Sequence, residues 1–246
     1  HLWDVHTVSN MQYIFRNSLE NANLAAWVVT GITGNSNGLN LWQNGSFSVS
    51  NYSATLVGWA AQTVQSSVNA VVSGSTFYNQ AGLIARNTLT GVGKSWTISG
   101  DSAYGITVTL ASTGGTSLGS TIVFTATVTG TNAPNVAPTA NPNWTITGAG
   151  TSCTSTAGPT TASLVSTYTC SITATNVGSY TANFSYPGDN YYIAVSAGPQ
   201  TVSPGKVSPI VAVSVNSTTQ ALGTSEVFTA TVTGSVGATA PTGTGT

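Results

Sequence analysis

The sequence predicts a mainly β protein assembled from tandem modules, and three observations carry that expectation. The octapeptide VFTATVTG fills residues 123–130 and returns unchanged at residues 227–234, 104 residues on. The flanks repeat too, with SLGSTI before the first copy and ALGTSE before the second. A period near one hundred residues marks whole domains in tandem rather than small repeat units. Within the motif, Phe124, Ala126 and Val128 alternate with Thr125, Thr127 and Thr129, the two-residue period of a half-buried strand. Finally, four Lys or Arg and five Asp or Glu are the only charged residues among 246, against about a quarter in ordinary globular chains. Scarce Lys and Glu disfavour long surface helices, whereas abundant Thr, Val and Gly favour strands and turns.

The same composition excludes partners. The net charge is −1 and no basic patch exists, so nucleic acid and anionic membranes are not expected as ligands. At 246 residues the chain is long enough for two domains with cores. It begins at His1 and stops soon after the second octapeptide, which leads us to expect a piece of a longer protein.

In chain order, the first segment carries a smaller repeat. Trp3, Val5 and Val8 recur as Trp27, Val29 and Ile32, 24 residues later, in the pattern W-x-V-x-x-[VI]. That period fits the coils of a leucine-rich-repeat solenoid, each of which buries its apolar residues only against its neighbours. WDVHTVSNMQYIF followed by NANLAAW resembles the repeats of BspA-like leucine-rich-repeat surface proteins, which read roughly W-D-V-S-x-V-x-x-M-x-x-M-F and then N-x-x-L-x-x-W. Trp3, Asp4, Val5, Val8, Met11, Phe15, Leu24 and Trp27 fall on that pattern. Ile14 stands where Met is usual, and the second repeat departs after Ile32.

Two helices are expected next. NYSATLVGWA reads as a helix capped by Ser50 or Asn51, with Leu56, Val57 and Trp59 as its apolar side. In residues 78–89, Ala81, Ile84, Ala85 and Leu89 recur at helical spacing. SWTISGDS closes the unit. The resemblance to the surface-protein family extends to this end segment and implies the polar cap that a solenoid needs. It covers residues 1–103.

From Tyr104 the composition shifts to Thr, Val and Gly. GITVTLAS, STIVFTATVTG, NWTITG, SLVSTYTCSITATN, GSYTANFSY and YYIAVSAGPQTV read as strands, divided by turn signals such as GG, NP and PGDN. Six or seven strands in residues 104–203 predict an immunoglobulin-like β-sandwich. GSYTANFSYPGDNYYIAVSAGPQTV also resembles bacterial Ig-like repeats, with Gly178, Tyr180, Gly188, Asp189 and Tyr192 on their pattern. The resemblance implies a tyrosine corner at Tyr180, while Ala182 replaces the second cysteine of antibody domains. VSPGKVSP then forms an extended linker, and residues 204–246 hold it and a truncated second Ig-like repeat.

Cys153 and Cys170 both lie within this first Ig-like stretch. In a chain resembling surface proteins the pair reads as a disulfide, with two buried free thiols as the alternative. Closing such a loop is worth about 3 kcal/mol on the entropic account. No His or third Cys lies near enough in sequence to suggest zinc.

Other chemistry is sparse. Asp4 and His6 are the only carboxylate–imidazole pair close in sequence. They could share a strand face, but no single nucleophile stands out and the family pattern uses this Asp as an ordinary repeat residue. Asp189 in PGDN reads as an Asx-type turn rather than a calcium ligand, which needs several oxygens at set spacing. Trp3, Trp27, Trp42, Trp59 and Trp96 crowd the first hundred residues. They could stack on sugars, but at 24-residue spacing they read as solenoid packing. The sequons at Asn143 and Asn183 are of a kind that arises by chance in so Ser- and Thr-rich a chain.

The resemblances together imply a non-enzymatic fragment of a large secreted or cell-surface adhesin-like protein, without cofactor or metal. The repeat module would bind an extracellular protein or glycan, the Ig-like repeats would form a stalk, and this fragment would not insert into a membrane. A structural spacer of a surface layer or phage fibre is one alternative. The accessory region of an extracellular glycan-degrading enzyme is another.

Overall fold

The computed structural model describes residues 4–33, 39–40, 47–131, 136–148, 153 and 155–234. It is mainly β, with eleven strands and two helices among those residues, arranged in small open sheets.

Residues 4–33 contain turns and no regular strand. They nonetheless bury Val5, Met11, Phe15, Leu24, Trp27, Val29 and Ile32, with Val8 half-buried. The repeat therefore marks the inward positions, although Asp4 and Ile14 stay exposed. The two copies stack closely. A side chain at Gly31 would lie 3.3 Å from the His6 carbonyl, and Thr33 N–H donates to Ser9 O at 3.3 Å.

Helix α1 spans Val49–Ala60. Its cap is Ser48, whose hydroxyl accepts from Asn51 N–H at 3.3 Å, and not Ser50 or Asn51. The Asn51 side chain is engaged elsewhere, with the Asn21 carbonyl. Leu56 and Trp59 are buried as expected but Val57 is exposed, because one residue of helix turns it about 100° away from Leu56. Strand β1, Asn69–Tyr78, is an element the sequence reading did not anticipate. Helix α2 follows at Gln80–Thr90, capped by Asn79. It buries Gly82, Ala85 and Leu89, while Ala81 and Ile84 face solvent. Gly82 takes the inward place because a side chain there would meet Ser53 Oγ at 2.7 Å. Strand β2, Thr97–Ala103, pairs parallel with β1, so α2 is the crossover between them. One core unites Trp27, Val29 and Ile32 with Leu56, Trp59, Leu89 and Trp96.

Seven strands follow: β3 Gly105–Gly114, β4 Thr121–Thr131, β5 Asn143–Thr147, β6 Ser155–Ala162, β7 Val165–Thr173, β8 Tyr180–Tyr186 and β9 Val195–Val202. They form two antiparallel sheets, ordered β3-β4-β7-β6 and β5-β8-β9. Six of the seven match expected strands. β6 was not expected, because STAGPTTA reads as turn and pairs only by lying along β7. Side chains of both sheets meet in two clusters, Phe124, Ile122 and Ile172 with Tyr180 and Ala182, and Ala126, Val128 and Tyr168 with Phe184 and Tyr186.

Among the described residues, the last strands, β10 Ile210–Val215 and β11 Phe228–Thr233, pair only with each other. Before them, Gly205 is pinned to the loop after β3, its N–H donating to Thr116 O at 3.2 Å and its carbonyl accepting from Leu118 N–H at 3.1 Å.

Candidate functional site

The cysteines are brought together as expected. Cys153 and Cys170 form a disulfide with Cα atoms 5.3 Å apart. It ties the segment before β6 to the middle of β7, where Cys170 is buried opposite Phe124 of β4.

Asp4 and His6 also meet. Nδ1 of His6 and the backbone N–H of His6 both contact Asp4 Oδ1. The hydrogen bond from the His6 ring holds the Asp4 carboxyl below its usual range. Both side chains are exposed, and no hydroxyl of a described residue bonds the ring. The pair closes a short turn between residues two apart.

Asp189 is spent on the protein itself. Its Oδ1 accepts from the N–H groups of Tyr191 at 2.8 Å and Tyr192 at 2.9 Å, an Asx-type turn. Its Oδ2 accepts from Thr139 N–H at 2.9 Å and from the Tyr186 hydroxyl. Burial opposes the charge, yet these donors, Tyr186 first, hold the carboxyl below its usual range. Among the described residues no group of three or more His, Cys, Asp or Glu is gathered as metal ligands would be.

Of the tryptophans, Trp27, Trp59 and Trp96 are buried in the N-terminal core and offer no face to a sugar. Trp3 and Trp42 lie outside the described residues. The sequons fall on one face of β5-β8-β9. Asn143 stands opposite Ser185 and Thr145 opposite Asn183, all four exposed. A depression of about 230 Å³ there is lined by Thr145, Asn183, Ser185 and Ser196, without a charge.

Three arrangements were not legible beforehand. First, α1 and the residues after it lay a row of side chains along residues 21–30. Thr55 Oγ1 accepts from Leu24 N–H at 2.9 Å, and Trp59 Nε1 donates to Leu24 O at 3.1 Å. Gln62 donates to Trp27 O at 2.8 Å and accepts from Val29 N–H at 2.9 Å, while Gln65 reaches Thr30 O at 3.2 Å. Backbone groups of residues 21–30 are thus satisfied by side chains. Gly58 permits the approach, since a Cβ there would sit 2.3 Å from Ala25 O. The helical spacing of Asn51, Thr55, Trp59 and Gln62 was the available signal.

Second, a buried ion pair locks the helices to the sheet. Arg86 grips Asp101 with two hydrogen bonds of 2.8 and 2.9 Å, and also bonds Ile98 O at 2.8 Å. The Tyr52 hydroxyl donates to Asp101 at 2.9 Å. Burial, with the Asp101 charge added, pushes the Tyr52 hydroxyl well above the usual tyrosine range, and the Asp101 bonds raise that of Arg86. The residues come from α1, α2 and β2, so no local pattern joins them.

Third, the N-terminal region and the two-sheet region meet closely. Tyr104, the single residue between β2 and β3, stacks on Phe77 at 4.3 Å and bridges to Tyr192. Asn79, already capping α2, donates to Asn190 O at 3.1 Å, and Gln80 accepts from Ala194 N–H at 2.7 Å. Val49 of α1 belongs to the cluster of Tyr104 and Tyr192.

No helix among the described residues is long and apolar enough to cross a membrane. No family model matches the chain, and neither a curated protein nor a solved structure matches it.

Proposed function

We propose that this chain is a non-enzymatic display module of a large secreted or cell-surface adhesin-like protein. Residues 1–103 are the closed end of a leucine-rich-repeat-like solenoid, and residues 104–203 and 204–246 are an Ig-like module and part of a second. The observation that carries this reading is the row of Thr55, Trp59, Gln62 and Gln65 side chains that closes the backbone edge of residues 21–30. A solenoid needs such a terminus to end without exposing an unsatisfied face. The Tyr180 hydroxyl supports the Ig-like assignment. It accepts from Thr175 and Asn176 N–H, both at 2.9 Å, and donates to Asn176 O at 3.1 Å, the geometry of a tyrosine corner. The disulfide suits an oxidising, extracellular setting.

The coil surface holds the ligand, an extracellular protein or glycan, and the sheets carry it outward. The test is an array of matrix proteins and glycans probed with the full chain. A ligand should be found whose affinity changes by less than about tenfold between about 50 and 500 mM salt, because no charged cluster is available to screen. Absence of binding across the array would favour the spacer instead. Release of reducing sugar from any glycan would overturn the non-enzymatic reading.

A further inference from the structure

We propose that the N-terminal region and the two-sheet region are one cooperative folding unit, latched where Asn79 and Tyr104 meet the loop between β8 and β9. Neighbouring domains move and unfold separately unless a large apolar interface joins them, so the composition shift at Tyr104 predicts two units by itself. The inference does not depend on what the N-terminal region binds.

The core crosses the boundary. Val49 opens α1 and Phe77 lies in β1, yet both pack in the cluster that holds Ala126 and Val128 of β4 and Phe184 of β8. Phe77 stacks on Tyr104 with ring centroids 4.3 Å apart and planes 13° from parallel. The Tyr104 ring in turn lies 6.3 Å from that of Tyr192, which is fully buried and whose hydroxyl donates to Val136 O at 2.7 Å. Parting the regions would expose a stacked aromatic pair on each side of the break, and such pairs add to the cost of the lost area.

No slack separates the two. Tyr104 is the one residue between β2 and β3. Gly105 beside it is not a pivot. It is paired with Thr131 of β4, whose Oγ1 a Cβ at Gly105 would meet at 1.9 Å. Close backbone approach, not freedom to bend, requires glycine there.

Asn79 is engaged on both sides. Its Oδ1 accepts from Gly82 N–H at 3.0 Å and so caps α2, while its Nδ2 donates to Asn190 O at 3.1 Å. Its own N–H donates to Ser53 Oγ of α1 at 3.0 Å. Next to it, Gln80 Oε1 accepts from Ala194 N–H at 2.7 Å. The loop they hold is fixed from the two-sheet side, since Asp189 accepts from Tyr191 and Tyr192 N–H. Separation breaks the Asn190 and Ala194 bonds and uncovers the rings together, so an opening that stops at the boundary is disfavoured.

The test is amide exchange of the full chain across a range of sub-denaturing urea. The slowest amides of α2 and β2 and those of β4 and β7 should converge on one line of opening free energy against urea. Phe124 lies in the other two-sheet cluster, with Tyr180 and Ala182. Phe124→Ala should speed the slowest amides of α2 and β2 by the same factor as those of β4 and β7, at least about tenfold, equivalent to about 1.4 kcal/mol. Replacing Cys153 and Cys170 with Ser gives the same comparison if Phe124→Ala does not fold. Asn79→Asp with Tyr104→Ala removes the donor to Asn190 and the stacked ring but keeps an oxygen to cap α2, where Asp serves as well as Asn. In that variant the lines should separate, and Phe124→Ala should no longer reach α2. Two lines in the unaltered chain, acceleration confined to β4 and β7, or a single line retained by Asn79→Asp with Tyr104→Ala overturns the proposal.

Discussion

Residues 123–130 and 227–234 are the same eight amino acids in two surroundings. In the first copy β4 lies between β3 and β7, beneath the β5-β8-β9 sheet, and Phe124, Ala126 and Val128 are all fully buried. In the second, β11 has β10 on one side and no described strand on the other, and every residue of the strand is exposed. Strand formation and register therefore travel with the local sequence. Burial, and most of the stability that comes with it, is supplied by strands that lie far away along the chain. Even the glycine behaves this way. In the first copy a Cβ on Gly130 would strike the Tyr192 hydroxyl at 2.1 Å, so a distant residue requires glycine there.

Substituting the shared phenylalanine breaks the comparison most sharply. Phe124→Ala should cost about 3–5 kcal/mol, since it opens a cavity beneath Tyr180 and Ala182. Urea unfolding followed by tyrosine and tryptophan fluorescence measures it. A loss under about 1 kcal/mol would mean that the core relaxes around the hole.

Reduction of the disulfide comes next. Replacing Cys153 and Cys170 with Ser should remove about 3 kcal/mol by the loop-entropy estimate. Amide exchange should accelerate in β4, β6 and β7 while the rates in β10 and β11 stay unchanged. Unchanged β4 rates would show that the bond does not brace the strand that covers it.

Acid should act on the same roof more gently. Donors to Asp189 hold its carboxyl below the usual range. Its contribution is thus present above the unfolded pKa of about 3.9 and is lost as pH falls through the lower folded value. Wild type should lose stability in that window more steeply than Asp189→Asn, and β4 exchange should quicken there. Parallel acid profiles for the two proteins would remove Asp189 as the cause.

The smallest effect sharpens the contrast. Phe228→Ala should change the unfolding midpoint by no more than about 0.5 kcal/mol, as for other exposed positions. A cost near that of Phe124→Ala would mean that Phe228 is covered in solution.

Much of the fold could be read in advance where one residue's neighbours in sequence are also its neighbours in space. Alternation located β4, β5, β7 and β8, and the 24-residue period marked Val5, Trp27, Val29 and Ile32 as inward. Helix faces were less legible. Val57, Ala81 and Ile84 are apolar but exposed, and Tyr52, Ser53 and Thr55 are buried in α1, because hydrogen bonds to residues 21–30 and to Asp101 hold polar groups inside. β1 and β6 escaped notice. NAVVSGSTFY and STAGPTTA carry turn residues and become strands only through partners at β2 and β7.

The sequence by itself determined the mainly β character, the tandem copies of one strand, and the cysteine pair that forms a bond. Each follows from local periodicity or from how few residues of a kind there are. Tertiary structure alone decided that Asn51, Thr55, Trp59 and Gln62 close the edge of residues 21–30, and that Arg86, Asp101 and Tyr52 converge. It alone set Tyr104 against Phe77 and Tyr192 between two cores and left Phe124 of one VFTATVTG buried and Phe228 of the other exposed. The physical reason is common to all four. A hydrogen bond, an ion pair or a buried ring needs a second surface, and a strand's own residues specify only its half of the contact.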